Sequence, residues 1–543
     1  MRKENNVSTK SINECRTTND LDNSRAHAKK ARNVKTRRRS KTNSNGKSVV
    51  STDSIASDGK VMNNPNYYFT DAELAKQATS ISFNTFLGTS DDYSGEGTNA
   101  TNTTPTVMII HTMPTAGPMD PLYSGASGIN MAGRKLYTRL SSINAKTTNY
   151  APQDLITLML SLGSVLEMIS FIRRAFGLAF TTSYRNRIVP KEILRMMGID
   201  ADDFFKNIAA YRLEFNTLIN MITKIPFPAN VAYFEKCATM HDHIWTDSAD
   251  MAIAQLYAIV PKYLWKFNET YSEQGTGLNT IDLSTDGSHI KQMSSYLDTF
   301  SEMIEQLLTS STLNFIYADI LNLAAKENIP LYQVSFVPED YTVIPEYNAE
   351  ALLQIHNITF VGYPEEANAA KFTNWTPQND VVPNVNKNTI DYYPSFSATN
   401  AALNTKRIID FPNGTPDVAE IIEATRYAAI ASDASLVADT YHVTGVALGD
   451  HVANDVIVYY TTATVVQTYP HSSSSLVTTA TSSFALANDF SKFDWSPILF
   501  GSVNSDKTRF TNVLGDLNYY TFIDREYLTR VDDLAMMALF ELR

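Results

Sequence analysis

The chain has 543 residues, 43% of them hydrophobic and 19% charged, ample for a large core and enough for more than one domain. The formal charge of −12 is unevenly placed: residues 1–50 hold 14 Lys/Arg against 4 Asp/Glu, net +10, and the rest hold 31 against 53, net −22. Such polarity suits a protein whose one end meets a polyanion while its body stays soluble and repels it. With only Cys15 and Cys237, no disulfide framework can form within the folded part, and no apolar run marks a signal peptide.

Residues 1–60 are rich in Asn, Ser, Thr, Lys and Arg, and too poor in apolar groups to offset the entropy of ordering; the composition predicts a disordered arm. Residues 61–150 mix Gly, Pro and Thr-rich turns with short apolar pieces such as TVMIIHTM. The stretch LITLMLSLGSVLEMISFI, 155–172, has the length of a membrane span. Glu167 inside it, with Arg173 and Arg174 directly after, reads instead as a helix buried in a large soluble core. From Pro152 to about 330 the periodicity is helical. After Asp200, a candidate N-cap, Phe204, Ile208, Tyr211, Phe215, Leu218 and Ile222 form one stripe, and Pro226 stops the helix. Met293, Leu297, Phe300, Ile304 and Leu307 repeat the pattern, a further helix is expected over about 312–326, and another over about 248–267.

From about 335 the composition changes to Pro, Asn, Tyr, Val and Thr, and between Tyr427 and Ser491 there is no Lys, Arg or Glu. DVIVYYTTATVVQTYP, 455–470, and the Ser/Thr-rich run after it predict strands and turns. One helix, opened by Thr415-Pro416, is expected to run to about 431. The closing segment DREYLTRVDDLAMMALFELR predicts a helix whose apolar face includes Leu528, Val531, Leu534 and Leu539.

Chemistry-bearing motifs are scarce. There is no phosphate-cradling loop, no His-Glu-x-x-His, and SGASGIN (124–130) lacks the spacing of a nucleophile elbow. CATMHDHIWTD places Cys237 and His241 four apart, followed by His243 and Asp247, all ligand types for zinc. No second ligand pair stands at a recognisable spacing, so packed or hydrogen-bonded side chains are the better reading; neither a catalytic residue nor a metal or other cofactor is assigned. The arm carries the one dense signal: Arg25, Lys29, Lys30, Arg32, Lys35, Arg37, Arg38, Arg39 and Lys41, with no acid and no aromatic among them. Each can displace a counterion from a phosphate chain, which gives salt-sensitive, sequence-blind nucleic-acid binding. An import signal, a plain linker and an anionic-membrane anchor are the competing readings of the same charge.

The stretches SISFNTFLGT (80–89), LGSVLEMISFIRRAFGLAFTTSYRNR (162–187) and FPANVAYFEKC (227–237) resemble capsid proteins of picobirnaviruses, most clearly over about 80–270. The resemblance implies an α+β chain: a mainly helical shell domain, a β-rich protruding segment and a disordered basic N-terminal arm. It divides the sequence into an RNA-contacting arm (1–60), a helix-rich shell domain (61–335), a β-rich protruding domain (336–490), and a returning segment with a C-terminal helix on the shell or a dimer partner (491–543). The partners it implies are a homodimer within an icosahedral shell and a double-stranded RNA genome. No small-molecule substrate is expected, and membrane contact only at entry. The location it implies is the virion, assembled in the host cytoplasm. The alternatives are a ribonucleoprotein-type coat on single-stranded RNA and a nucleic-acid enzyme with a basic localisation arm.

Overall fold

The structure is a computed structural model that describes residues 68, 71–81, 90–91, 102–103, 107–120, 123–145, 148–180, 189–247, 254–272, 275–283, 290–359, 380–392, 395–396, 406–431, 434–437, 440–443, 446–461, 466–471, 492–501 and 512–543. The chain divides into two compact units, Met1–Phe83 and Asn84–Arg543. In the first, helix α1 (Ala72–Thr79) starts at Asp71, whose side chain accepts the backbone N–H groups of Glu73 and Leu74.

The second unit carries helices α2 (Gly128–Asn144), α3 (Pro152–Phe180), α4 (Val189–Met196), α5 (Ala201–Ile222), α6 (Ala232–Thr239), α7 (Met293–Thr309), α8 (Ser311–Glu327), α9 (Ala349–His356), α10 (Val418–Thr425) and α11 (Arg525–Leu539). Its axis is α3, apolar on every side and buried at every residue from Leu155 to Ile172. A helix without a polar face has to be wrapped by other elements, and α2, α6, α7 and a β-ribbon wrap this one. The stripe expected on α5 faces inward, with Phe204, Tyr211, Phe215, Leu218 and Ile222 buried. Asp200 caps it, accepting from Asp202 N and Asp203 N at 3.1 Å each, which is worth about 1 kcal/mol. Ring pairs Phe176–Phe204 (5.2 Å) and Phe215–Phe300 (5.8 Å) tie α3, α5 and α7 together.

The strands that matter for the site are β1 (Val107–Pro114), β2 (Trp245–Thr246), β3 (Leu256–Pro261), β4 (Tyr263–Ser272), β5 (Gly275–Asp282), β6 (Lys406–Phe411), β7 (His451–Thr461), β8 (Val466–His471) and β9 (Tyr519–Asp524). A five-stranded sheet runs in the order β8-β7-β1-β3-β2. The β1–β3 pair is parallel, Val107 opposite Leu256, and the crossover between them is built from α2 to α6. The β7–β1 pair is antiparallel, His451 opposite Pro114, with an irregularity between Ala453 and Asp455. Both faces of β1 are covered: Val107, Ile109 and Met113 join the helical core, while Met108 and Ile110 join a second cluster with Tyr257, Val456 and Leu352. That two-sided burial explains why TVMIIHTM reads as an unbroken apolar run.

Two expectations are corrected. The segment 248–267 is not helical: β3 and β4 occupy its described part, and the buried LYAIVP alternates its side chains between two covered faces. The helix after Pro416 ends at Thr425, and Ala429–Ala431 is already a strand. The strand-forming 455–470 carries the end of β7, which pairs beside β1, and most of β8.

Candidate functional site

Helix α3 carries one carboxylate in its apolar interior, Glu167, and the fold brings it charged partners from far along the chain. β7 begins with His451, and its ring Nε2 lies 2.9 Å from Glu167 Oε1. The other ring nitrogen, Nδ1, lies 2.8 Å from Asp450 Oδ2, and Lys236 of α6 donates to both Asp450 oxygens at 2.7 and 2.6 Å. His241, after α6, places Nε2 3.4 Å from Glu167 Oε2 and Nδ1 3.0 Å from the Ile259 carbonyl of β3. The row Lys236, Asp450, His451, Glu167 alternates in sign and closes neutral when His451 carries its proton.

Energetically, burial by itself would raise the Glu167 carboxyl; the charge of His451 and hydrogen bonds from both imidazoles outweigh it and hold the group at about 2. Burial would likewise discharge His451, but Glu167 and Asp450 raise it to about 9. Asp450 lies below the usual carboxylate range: burial opposes this, and the Lys236 and His451 charges prevail. For His241 burial prevails, lowering its pKa against the pull of Glu167.

The sequence quartet Cys237, His241, His243 and Asp247 is not assembled. His243 stacks on Trp245 at 4.8 Å and pairs with Glu346 at 2.9 Å, and Asp247 accepts from Gln255 N at 2.8 Å. Cys237 instead joins Glu167 and His451, with potential ligand atoms within 4.8 Å of one another. Burial, with Glu167 and Asp450 nearby, raises the Cys237 thiol well above its ordinary value, and both ring nitrogens of His451 face carboxylates. Protons hold this cluster together. His451 was invisible as a member because it lies 284 residues from Glu167; the signal that pointed to a buried partner was Glu167 itself. Arg173 and Arg174 also turn inward, Arg173 to Asp242 and Arg174 to the His243 carbonyl at 3.2 Å.

Around this joint the C-terminal helix closes the body. Its buried face is Leu528, Asp532 and Met536, followed by Phe540; Leu534, read from the sequence as part of the apolar face, is exposed. Phe540 stacks on Tyr233 at 4.2 Å, Asn230 binds the Arg543 carbonyl, and Asp533 accepts the Gly128 backbone N–H. The basic residues Arg25, Lys29, Lys30, Arg32, Lys35, Arg37, Arg38, Arg39 and Lys41 lie outside the described residues.

The body is mixed α+β, and its buried ion pairs join segments that lie far apart in the sequence. The chain belongs to the family described as Picobirnavirus, Capsid protein, whose model matches residues 67–526. It is 25% identical over 460 residues to the capsid protein precursor of human picobirnavirus (strain Human/Thailand/Hy005102/-), covering 81% of this chain and 82% of that one. Its fold is similar to the crystal structure of the picobirnavirus capsid, with a TM-score of 0.72 and 22% identity over 88% of this chain and 98% of the other. As a member of this family it is a structural protein of the virion that assembles into a shell.

Proposed function

We propose that the chain assembles as dimers into an icosahedral shell and encloses double-stranded RNA without reading its sequence, through the basic arm of residues 1–60. The observation that carries this reading is the charge polarity, +10 over residues 1–50 against −22 over the rest, in a capsid-family chain. An anionic body repels RNA, so retention of a polyanion falls to the cationic segment. Within that segment nine Lys/Arg between Arg25 and Lys41, without an aromatic side chain, favour phosphate contact over base readout. In this reading the arm faces inward, and the parts of 336–490 outside the central sheet form the outward projection.

The test is removal of residues 1–45. Closed particles should still form, visible as spheres in electron micrographs, and should hold much less RNA per chain. Particles with unchanged RNA content overturn the role of the arm. Rods or beads on single-stranded RNA overturn the container.

A further inference from the structure

An exposed apolar surface of the second unit lies where β9 returns beside β6. The two strands form a two-stranded antiparallel ribbon, Phe411 opposite Tyr519 and Lys406 opposite Asp524. Side chains on a strand alternate between faces, yet Tyr519, Tyr520, Thr521 and Phe522 are all exposed. Among the described residues β9 is therefore bare on both of its faces from Tyr519 to Phe522, and no strand pairs with its outer edge. Next to it, α10 turns Val418, Ile421 and Ile422 outward, an i, i+3, i+4 stripe of the kind a helix normally buries. The exposed fractions of Tyr519, Tyr520, Phe522, Val418, Ile421 and Ile422 run from 42% to 74%. A groove of about 440 Å³ joins the two elements, lined by Ile409, Phe411, Pro416, Ile421, Tyr519 and Tyr520.

This surface is firmly built. Asp417 and Glu420 form a reciprocal cap at the start of α10. The inner side of the ribbon and helix belongs to a buried cluster of Ile409, Phe411, Ala424, Ala428, Leu353 and Leu528. Tyr520 and Phe522 meet edge to face at 6.1 Å, a ready aromatic ladder.

We propose that this face, centred on Tyr519, Tyr520 and Phe522 with the α10 stripe, is an interface that a second copy of the same chain covers. The proposal rests on the capsid reading, in which every chain contacts its own kind. Charge argues for a like partner: the sequence outside residues 1–50 carries −22, so two copies repel except across a neutral face. None of the groove's lining side chains is an acid or a base of the Asp, Glu, Lys, Arg or His type. Aromatic enrichment with charge depletion is the composition of an interface centre. Area agrees as well. At about 150–250 Å² per aromatic side chain, the exposed parts of Tyr519, Tyr520 and Phe522 alone supply on the order of 350 Å². With the α10 stripe this is a large share of the roughly 800 Å² per partner that a stable interface uses. The free edge of β9 adds backbone donors and acceptors that a neighbour can pair.

The experiment uses the full chain carrying a photo-crosslinking benzophenone amino acid at position 520, prepared as a mixture of ¹⁴N- and ¹⁵N-labelled chains. After irradiation, peptides are mapped by mass spectrometry. Crosslinked peptide pairs of mixed label are expected; crosslinks within single chains only, or to another protein only, overturn the proposal. In parallel, Tyr520→Asp with Phe522→Asp should lower particle yield by about tenfold or more while the melting temperature of the soluble chain stays unchanged. Wild-type yield from a folded double variant also overturns it. If the double variant does not fold, the mixed-label crosslinks decide. Wild-type chains that form no shell yet crosslink through position 520 reject the capsid reading and keep the interface.

Discussion

Glu167 shows how a single residue can carry information about the whole fold. A charge inside an apolar helix is tolerated where an opposite charge reaches it, and here that charge comes from His451, itself fixed by Asp450 and Lys236. Removing one member leaves the others buried and unpaired. Glu167→Ala should therefore cost about 3–5 kcal/mol, read as a lower denaturation midpoint with an unchanged slope. His451 supplies a pH test. Its pKa rises from 6.5 to about 9 on folding, so the folded state binds the proton more tightly than the unfolded chain does. That stabilisation is complete below about 6.5 and is lost as the pH rises through about 9; the shift corresponds to roughly 3 kcal/mol. Thermal unfolding between pH 6 and 10 should show the loss in the wild type and a flatter profile in His451→Gln. Equal slopes in the two proteins would contradict the assignment.

At the scale of elements, α11 is the fastening of the body. Gly117 (φ +76°) lies under Met536, and Gly128 lies against the Asp533 carbonyl, both at spacings that leave no room for a Cβ. Gly128→Ala should overpack this contact, cost about 1–3 kcal/mol and make α11 the first site cut in limited proteolysis. Deleting 525–543 removes the ring stacked on Tyr233 and the buried Leu528 and Met536, which uncovers core residues such as Ile409 and Leu353. The expected product is a destabilised or aggregated body, because α11 packs on its own chain; intact, well-folded monomers after the deletion would argue that the helix serves only a neighbour.

For the molecule as a whole, the proposed behaviour toward RNA rests on the separation of charge. Nine arm cations that each release a counterion give a steep salt response: affinity for duplex RNA should fall by about 10³–10⁵ between 50 and 200 mM salt. Duplexes of unrelated sequence should follow the same line. Filter binding with the full chain measures it, and a chain without residues 1–45 should lose most of the slope. A marked preference for one sequence would contradict phosphate-led binding.

Much of this was legible in the amino-acid order because it depends on local periodicity and composition. The stripe Phe204 to Ile222, the Asp200 cap, the buried nature of 155–172 and the charge polarity are properties of short windows. What failed locally was decided by partners. LYAIVP became a strand because β1 lies on one side of it and β2 on the other, and α11 buries the row Leu528, Asp532 and Met536, which leaves Leu534 on the opposite, exposed face. The pairing of His451 with Glu167, and of β7 with β1, joins residues hundreds of positions apart. The sequence by itself determined the strongly striped helices, such as 201–222 and 293–309, and which end is cationic, since side-chain periodicity and charge are local quantities. Only the tertiary structure decided which buried charges meet and which apolar face stays bare, since burial and Coulomb energy depend on distances that the linear order does not contain.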